Sequence, residues 1–448
     1  MDRKAQIEKL IYDAYEKDLF TGTWLYAENG EIVTKGAVGY SDTKFTVPMQ
    51  ENCIFDIGSI SKHVTCTAIL LLRRKGLLDL DDEVTKFFPE IPYKGITVRH
   101  LMTHTSGLPD YMAWTCRLAK KEDTIPDNNV IIRFLTESGA EPLFAPGEDW
   151  SYCNTGYCLL AEIVAKVSGV PFPEFLKKNI FEPAGMTSTA LVHRIKDGLN
   201  IPNIASGMSY DDDSYKLSEE SQFKDIVIRL DGSEGDGFIK TNIFDMLAWD
   251  RALREETVLT EEEKELMYTP VRLRNGEISD ASYGFGWRIR EKPELGRVAM
   301  HAGGWPGYRS LFVRFLDTDC VFIYLCSRDT MDEWGTSTFT NGLIDIASDM
   351  EPKPVCLLED MAIQDPDRSG WDMLCGDYEG HGLGVVPEKV FMKDGDLYGT
   401  FYHTEADIWF DTKLFPIGDN TFAIKQEMGN LVFSDKGLTF GDTLYTKQ

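Results

Sequence analysis

The chain has 448 residues, with 46 Lys and Arg against 73 Asp and Glu, giving a net charge of −27 at pH 7. That acidity excludes nucleic acid and anionic membrane surfaces as partners, because both are bound through clustered positive charge. With 43% hydrophobic and 12% aromatic residues, disorder is excluded as the dominant state and the length suffices for at least one large core.

Ile7, Leu10, Ile11 and Ala14 recur at helical spacing, so residues 3–18 are expected to form an amphipathic opening helix. Asp2, Lys4, Glu8, Asp13, Glu16 and Asp18 leave no apolar centre for a signal peptide. No run of about 18 apolar residues occurs, so a soluble, cytoplasmic protein with no membrane partner is expected. Strands are expected near 21–28 and 31–39 around Glu28-Asn29-Gly30, followed by a long helix over 59–75 closed by Gly76. Residues 77–92 are short, acidic and proline-punctuated, whereas 97–102 predicts a short helix. A further helix is expected over 155–168, ended by Ser168-Gly169.

Residues 190–235 are polar and turn-rich, with the acidic cluster Asp211-Asp212-Asp213, and are expected as surface loops. Strands then follow over 283–289, 297–301, 309–315 and 321–326, the last two around Asp317-Thr318-Asp319, and a helix is expected over 341–350. Pro352, Pro354 and Pro366 mark 351–370 as a linker. Beyond it, breaks such as Lys393-Asp394-Gly395 and Gly418-Asp419-Asn420 recur at about ten residues and predict an antiparallel meander, either a small barrel or a sandwich. The expected fold class is α+β, with a mixed body over 1–350 and an all-β domain over 371–448; no internal repeat relates them.

The nine cysteines are scattered and include no CxxC, which favours reduced, mainly buried thiols over a disulfide frame or a zinc site. His100 and His104 are four apart, but no HExxH surrounds them and no third ligand is evident. They are expected to be structural, and neither metal nor cofactor is called for.

S-x-x-K occurs three times, at Ser41, Ser59 and Ser221, and is a weak signal alone. Ser41 lies in a polar turn and Ser221 in the acidic loop region. Ser59 follows Gly58 and begins the predicted 59–75 helix, where Ser59 and Lys62, at i and i+3, share a face. A serine hydroxyl becomes nucleophilic when a neighbour takes its proton, and a desolvated lysine can be neutral enough to do so. The helix N-terminus would add backbone donors for an oxyanion. The plainer alternative makes Ser59 a helix cap and Lys62 a surface residue. Two further motifs weigh against that alternative. Tyr152 and Asn154 form the chain's single Y-x-N, in a loop entering a helix. His301-Ala302-Gly303-Gly304 ends a predicted strand, where two glycines let a ligand approach the backbone.

In this order, helix S-x-x-K, loop Y-x-N and strand H-x-G resemble the serine β-lactamase and penicillin-binding-protein family, especially its class C-like esterase and D-aminopeptidase branch. Gly36 to Gly39, Leu101-Met102-Thr103-His104-Thr105-Ser106-Gly107-Leu108-Pro109 and Tyr283-Gly284-Phe285-Gly286-Trp287 are similar to the same family, and the resemblance spans residues 5–350. It implies an antiparallel sheet flanked by helices, beside a helical lobe, with the site in the cleft between them. It also implies an acylated nucleophile at Ser59, with Lys62 and Tyr152 sharing its proton, and Tyr152 activating the deacylating water. Asn154 would orient Lys62 and the substrate amide; the N–H groups of Ser59 and Gly304, beside Gly303, would form the oxyanion hole.

His301 stands where the β-lactamases and transpeptidases carry lysine, and an imidazole is only partly charged at neutral pH. This disfavours efficient β-lactam hydrolysis and favours esters, or amides and peptides with D-residues. The alternative is a penicillin-binding sensor that acylates without turnover. Tyr111, Trp114 and Trp305 are candidate pocket-wall residues. The expected partner is a small-molecule or peptide substrate, with a homo-oligomer left open.

Overall fold

The structure is a computed structural model that describes residues 2–211, 214–292, 295–329, 332–380, 382, 384–404 and 407–448. The apolar run Val321-Phe322-Ile323-Tyr324-Leu325 lies at the centre of a six-stranded antiparallel sheet, where every residue of Cys320–Cys326 is buried. A strand covered on both faces reads as a continuous hydrophobic run instead of an alternation. The sheet order is Glu31–Val38, Gly22–Glu28, Cys320–Cys326, Tyr308–Phe315, Gly296–Trp305, Arg288–Lys292. Trp24 faces Tyr324 across one ladder, and Leu311 faces Ala302 across another, which sets the register of the strand carrying His301.

Between Ser61 and Ala184 the described elements are helical. Ser61–Arg74 is buried from Ser61 to Leu72, which explains its unbroken apolar stretch Ala68-Ile69-Leu70-Leu71-Leu72. It packs beside Asn154–Ser168, a helix that ends at Gly169 in the left-handed region, with φ +70°. Sheet and helices together make the α+β class that the pattern predicted.

Contacts divide the chain into two compact units, Thr21–Asp329, and Met1–Phe20 together with Thr330–Gln448. The second unit packs helix Arg3–Glu16 against helix Glu333–Ala347. It also holds a nine-stranded antiparallel sheet that begins at Gly376–Glu379 and ends at Thr443–Lys447. The two outermost strands of that sheet, Ile408–Lys413 and Phe415–Gly418, are consecutive in the chain, so the sheet is a nearly closed barrel around Val390, Leu397, Phe401, Leu414, Phe422 and Leu431. The predicted meander breaks are real turns: Asp394 and Asn420 take φ of +54° and +48°. Within 351–370, the short helix Leu358–Met361 buries Leu358 beside Phe415 and Ala423.

Four local expectations are corrected. Residues 190–235 are not simply surface loops: they contain the hairpin Met208–Asp211 and Ser214–Leu217 and the helix Lys224–Arg229. Their polar groups are satisfied internally, as where buried Asp231 accepts the Ile195 and Lys196 N–H groups at 2.7 and 2.8 Å. Asp212 and Asp213 lie outside the described residues. The 283–289 segment becomes a strand only at Arg288, because Gly286 has φ +77° and a Cβ there would stand 2.5 Å from His63 Cα. The helix expected over 341–350 runs Glu333–Ala347 instead, its start capped by Asp332 accepting the Gly335 N–H. Gly335, Thr336, Ser337 and Thr338 are weak helix formers, which hid that start. Finally, the first turn of the 59–75 helix is a 3-10 turn, Gly58–Ile60, ahead of Ser61–Arg74.

Candidate active site

Glycine chemistry places Ser59. Gly58 has φ +49°, and a Cβ there would lie 2.8 Å from Gly304 N; a Cβ on Gly303 would lie 1.9 Å from Ile57 O. The turn bearing Ser59 is therefore pressed against the strand bearing Gly303 and Gly304, an approach open only to glycine at these positions. Asp56 Oδ1 accepts the Gly58 N–H at 2.8 Å and the Ser310 hydroxyl donates to Ile57 O at 2.8 Å, fixing the turn from both sides. Asp56 is itself held by Lys240 at 3.0 Å.

Lys62 is fully buried, and its Nζ donates to Ser59 Oγ at 2.9 Å and to the Asp236 carbonyl at 2.7 Å. Burial pulls the ammonium's pKa down, but Tyr152 and the Asp236 carboxylate outweigh it and hold it above the usual value. The neutral lysine anticipated from burial alone is thus corrected, since the same burial that desolvates Lys62 encloses it with acidic partners. The Tyr152 ring centre lies 4.9 Å from Lys62 Nζ, and Tyr152 is partly exposed like Ser59. Of the other S-x-x-K serines, Ser221 donates to the Ser218 carbonyl at 2.9 Å while Lys224 is exposed, and Ser41 sits in a surface turn.

His301 is 4% exposed, and its Nδ1 lies 2.6 Å from the Ala302 carbonyl, which can only accept. The ring proton is therefore on Nδ1, and Nε2 accepts from the Tyr283 hydroxyl at 2.8 Å. Burial first, then the Lys62 cation, lowers its pKa to about 3. The partly charged imidazole expected from sequence is a neutral one with both nitrogens engaged.

Asn154 begins the helix Asn154–Ser168, its N–H bound to Asp110 Oδ2 at 2.8 Å and its side-chain nitrogen 3.4 Å from Met112 Sδ. The carbonyl that receives Lys62 belongs to Asp236, which corrects the expectation that Asn154 orients the lysine. Tyr111 is 1% exposed and donates to Asp236 Oδ2 at 3.0 Å, so it braces the site from behind instead of lining it. Trp114 packs on Phe134, with ring centres 5.6 Å apart. Trp305 is partly exposed, meets Phe238 at 4.9 Å and borders a cavity of about 30 Å³ with Asp56, Lys240 and Tyr308.

Sequence reasoning missed Asp236, Tyr283 and the part played by His104. Asp236 stands between Gly235, with φ +100°, and Gly237, just past the 190–235 region expected as surface loops; that Gly-Asp-Gly is its only signal in the sequence. Asp236 Oδ1 is buried without a hydrogen-bond partner among the described residues, and burial raises the carboxyl's pKa against the pull of Lys62. His100 Nδ1 accepts the Thr97 N–H at 3.1 Å, capping the helix Val98–Met102. Among the described residues no group of His, Cys, Asp and Glu side chains could hold a metal ion, and no helix is long and apolar enough to cross a membrane.

A model of the β-lactamase family matches residues 12–341. Penicillin-binding protein 4* of Bacillus subtilis (strain 168) is 38% identical over 335 residues, covering 74% of each chain. A D-aminopeptidase of Gluconobacter oxydans (strain 621H) is 28% identical over 287 residues; the match covers 63% of this chain and only 51% of that longer protein. The octameric penicillin-binding protein homologue from Pyrococcus abyssi aligns with a TM-score of 0.67 at 22% identity, over 100% of this chain and 97% of its own.

Proposed function

The chain belongs to the β-lactamase family, and from that premise we propose that it is a serine hydrolase working through an acyl-enzyme on Ser59. The observation that carries this reading is the 2.9 Å contact of Lys62 Nζ with Ser59 Oγ beside Tyr152. An ammonium that already donates to Ser59 Oγ cannot take its proton, so the base is Tyr152, and Lys62 steadies the negative charge that proton transfer moves between them. Ser59 Oγ attacks the substrate carbonyl carbon, and the carbonyl oxygen gathers charge opposite the N–H groups of Ser59 and Gly304. Tyr152 passes the proton to the departing alcohol or amine as the tetrahedral species collapses. Water then gives a proton to Tyr152 as its oxygen attacks the acyl carbon. When the C–Oγ bond breaks, Tyr152 returns that proton to Ser59 Oγ, releasing the acid and restoring both residues.

Esters, or amides and peptides with D-residues, are the proposed substrates. The neutral His301 supports this choice, because it places no permanent cation where a β-lactam or peptide carboxylate would be received. Assays with p-nitrophenyl esters, D- and L-amino-acid anilides and a chromogenic cephalosporin test the proposal. Continuous turnover of esters or D-anilides is expected, with the cephalosporin slower by at least about 100-fold. A stoichiometric penicillin burst with no turnover of any substrate would replace it with the acylating-sensor reading.

A further inference from the structure

His104 grips the chain on both sides of Tyr152. Its carbonyl accepts the Ser151 N–H at 3.0 Å, and its ring Nδ1 accepts the Cys153 N–H at 3.1 Å. The imidazole centre also lies 4.2 Å from the Tyr152 ring centre. One residue thus fixes the backbone entering and leaving Tyr152 and covers a side of its ring. We propose that His104 is a positioning residue that holds the Tyr152 phenol against Ser59 and Lys62, and that it acts as a hydrogen-bond acceptor. The proposal rests on the acyl-enzyme reading and adds a residue that the three motifs do not contain.

Three features set this apart from ordinary packing. His104 has φ +60° just past the helix Val98–Met102, in a left-handed turn closed by the Thr105 N–H on the His100 carbonyl at 3.0 Å. This helix end turns its carbonyl and ring toward Ser151 and Cys153. With Nδ1 accepting, the ring proton sits on Nε2, which is buried with no hydrogen-bond partner among the described residues, and the imidazole centre lies 5.9, 5.0 and 4.7 Å from the ring centres of Trp150, Tyr157 and Tyr283. The single polar service of the ring is therefore the Cys153 N–H. Burial first, then the Lys62 cation, keeps the imidazole neutral and so able to accept. A hydrocarbon of equal size would fill the same cage but could not receive that N–H.

Asparagine carries its amide oxygen two bonds beyond Cβ, as Nδ1 is, and tolerates positive φ. Glutamine carries the same group one carbon further out. The test compares His104→Asn, His104→Gln and His104→Leu in the rate at which a fluorophosphonate labels Ser59, between about pH 6 and 10. Thermal melting selects the folded variants. His104→Asn is expected within about threefold of the unaltered protein, whereas His104→Gln and His104→Leu fall at least about tenfold and shift the pH at half-maximal labelling. In a Tyr152→Phe background, His104→Leu should add less than about a twofold loss. Equal labelling by His104→Gln, a fall of His104→Asn with the others, or an undiminished loss in the Tyr152→Phe background would overturn the proposal. If His104→Leu does not fold, the Asn and Gln variants decide. Absence of label on Ser59 in the unaltered protein would instead sink the acyl-enzyme reading.

Discussion

The Tyr283 hydroxyl donates to Nε2 of His301 at 2.8 Å, which turns the imidazole's remaining acceptor away from the substrate. With Nδ1 committed to the Ala302 carbonyl, His301 can offer a ligand neither a proton nor a positive charge. His301→Lys would return a cation to that position. The ratio of penicillin labelling to ester hydrolysis is expected to rise at least about tenfold. An unchanged ratio would show that the strand residue does not set the preference.

Stability should fall in mild acid. His63, His104 and His301 are all buried, and burial holds each below the usual imidazole value, His301 at about 3. Below about pH 6.5 the unfolded chain takes up protons that the folded chain refuses, costing about 1.4 kcal/mol per pH unit for each histidine. For His301 the loss continues down to about pH 3. Asp110 and Asp236, whose pKa values are raised by burial, act in the opposite sense once they protonate in the folded state. Urea unfolding from pH 7 to 4 should show the decline, and His301→Gln should flatten it by roughly one proton. The same slope in that variant would contradict the neutral assignment.

Gly303→Ala tests the contact between the strand and the Ser59 turn. The added methyl would stand 1.9 Å from Ile57 O and 2.3 Å from Ser310 Oγ. A destabilisation of about 1–3 kcal/mol is expected. Labelling of Ser59 should fall about 100-fold because Gly304 N–H moves with the strand. Near-normal labelling would mean that this strand does not shape the site.

The helix Glu333–Ala347 depends on residues far along the chain. The Glu333 N–H donates to the Lys425 carbonyl at 2.8 Å, Trp334 Nε1 to the Ile424 carbonyl at 3.0 Å, and the Leu358 N–H to Asp332 Oδ2 at 2.8 Å. A chain ended at residue 350 should therefore melt at least about 10 °C lower or fail to remain soluble. Melting like that of the full chain would show that the helix needs none of these partners.

The candidate site was readable where three motifs occur in order: one of three S-x-x-K runs, at the start of an apolar helix pattern, a single Y-x-N, and paired glycines after His301. The alternation and turn residues of the barrel were readable for the same local reasons. What escaped was set by distant partners. Asp236 is five residues beyond the nearest buried acid, Asp231, and meets Lys62 only through the fold, and Tyr283 finds His301 across a turn that looks like a strand on paper. Polarity misled over 190–235, where Asp231 and its neighbours are satisfied internally instead of by water.

The central claim is a covalent acyl-enzyme on Ser59. Brief incubation with a fluorophosphonate and with an activated ester, followed by peptide mass mapping, tests it most directly. One adduct on the Ser59 peptide is predicted, absent from Ser59→Ala and slowed by about 100-fold or more in Lys62→Met. An adduct elsewhere, or Ser59→Ala reacting and turning over as well as the unaltered protein, would contradict it.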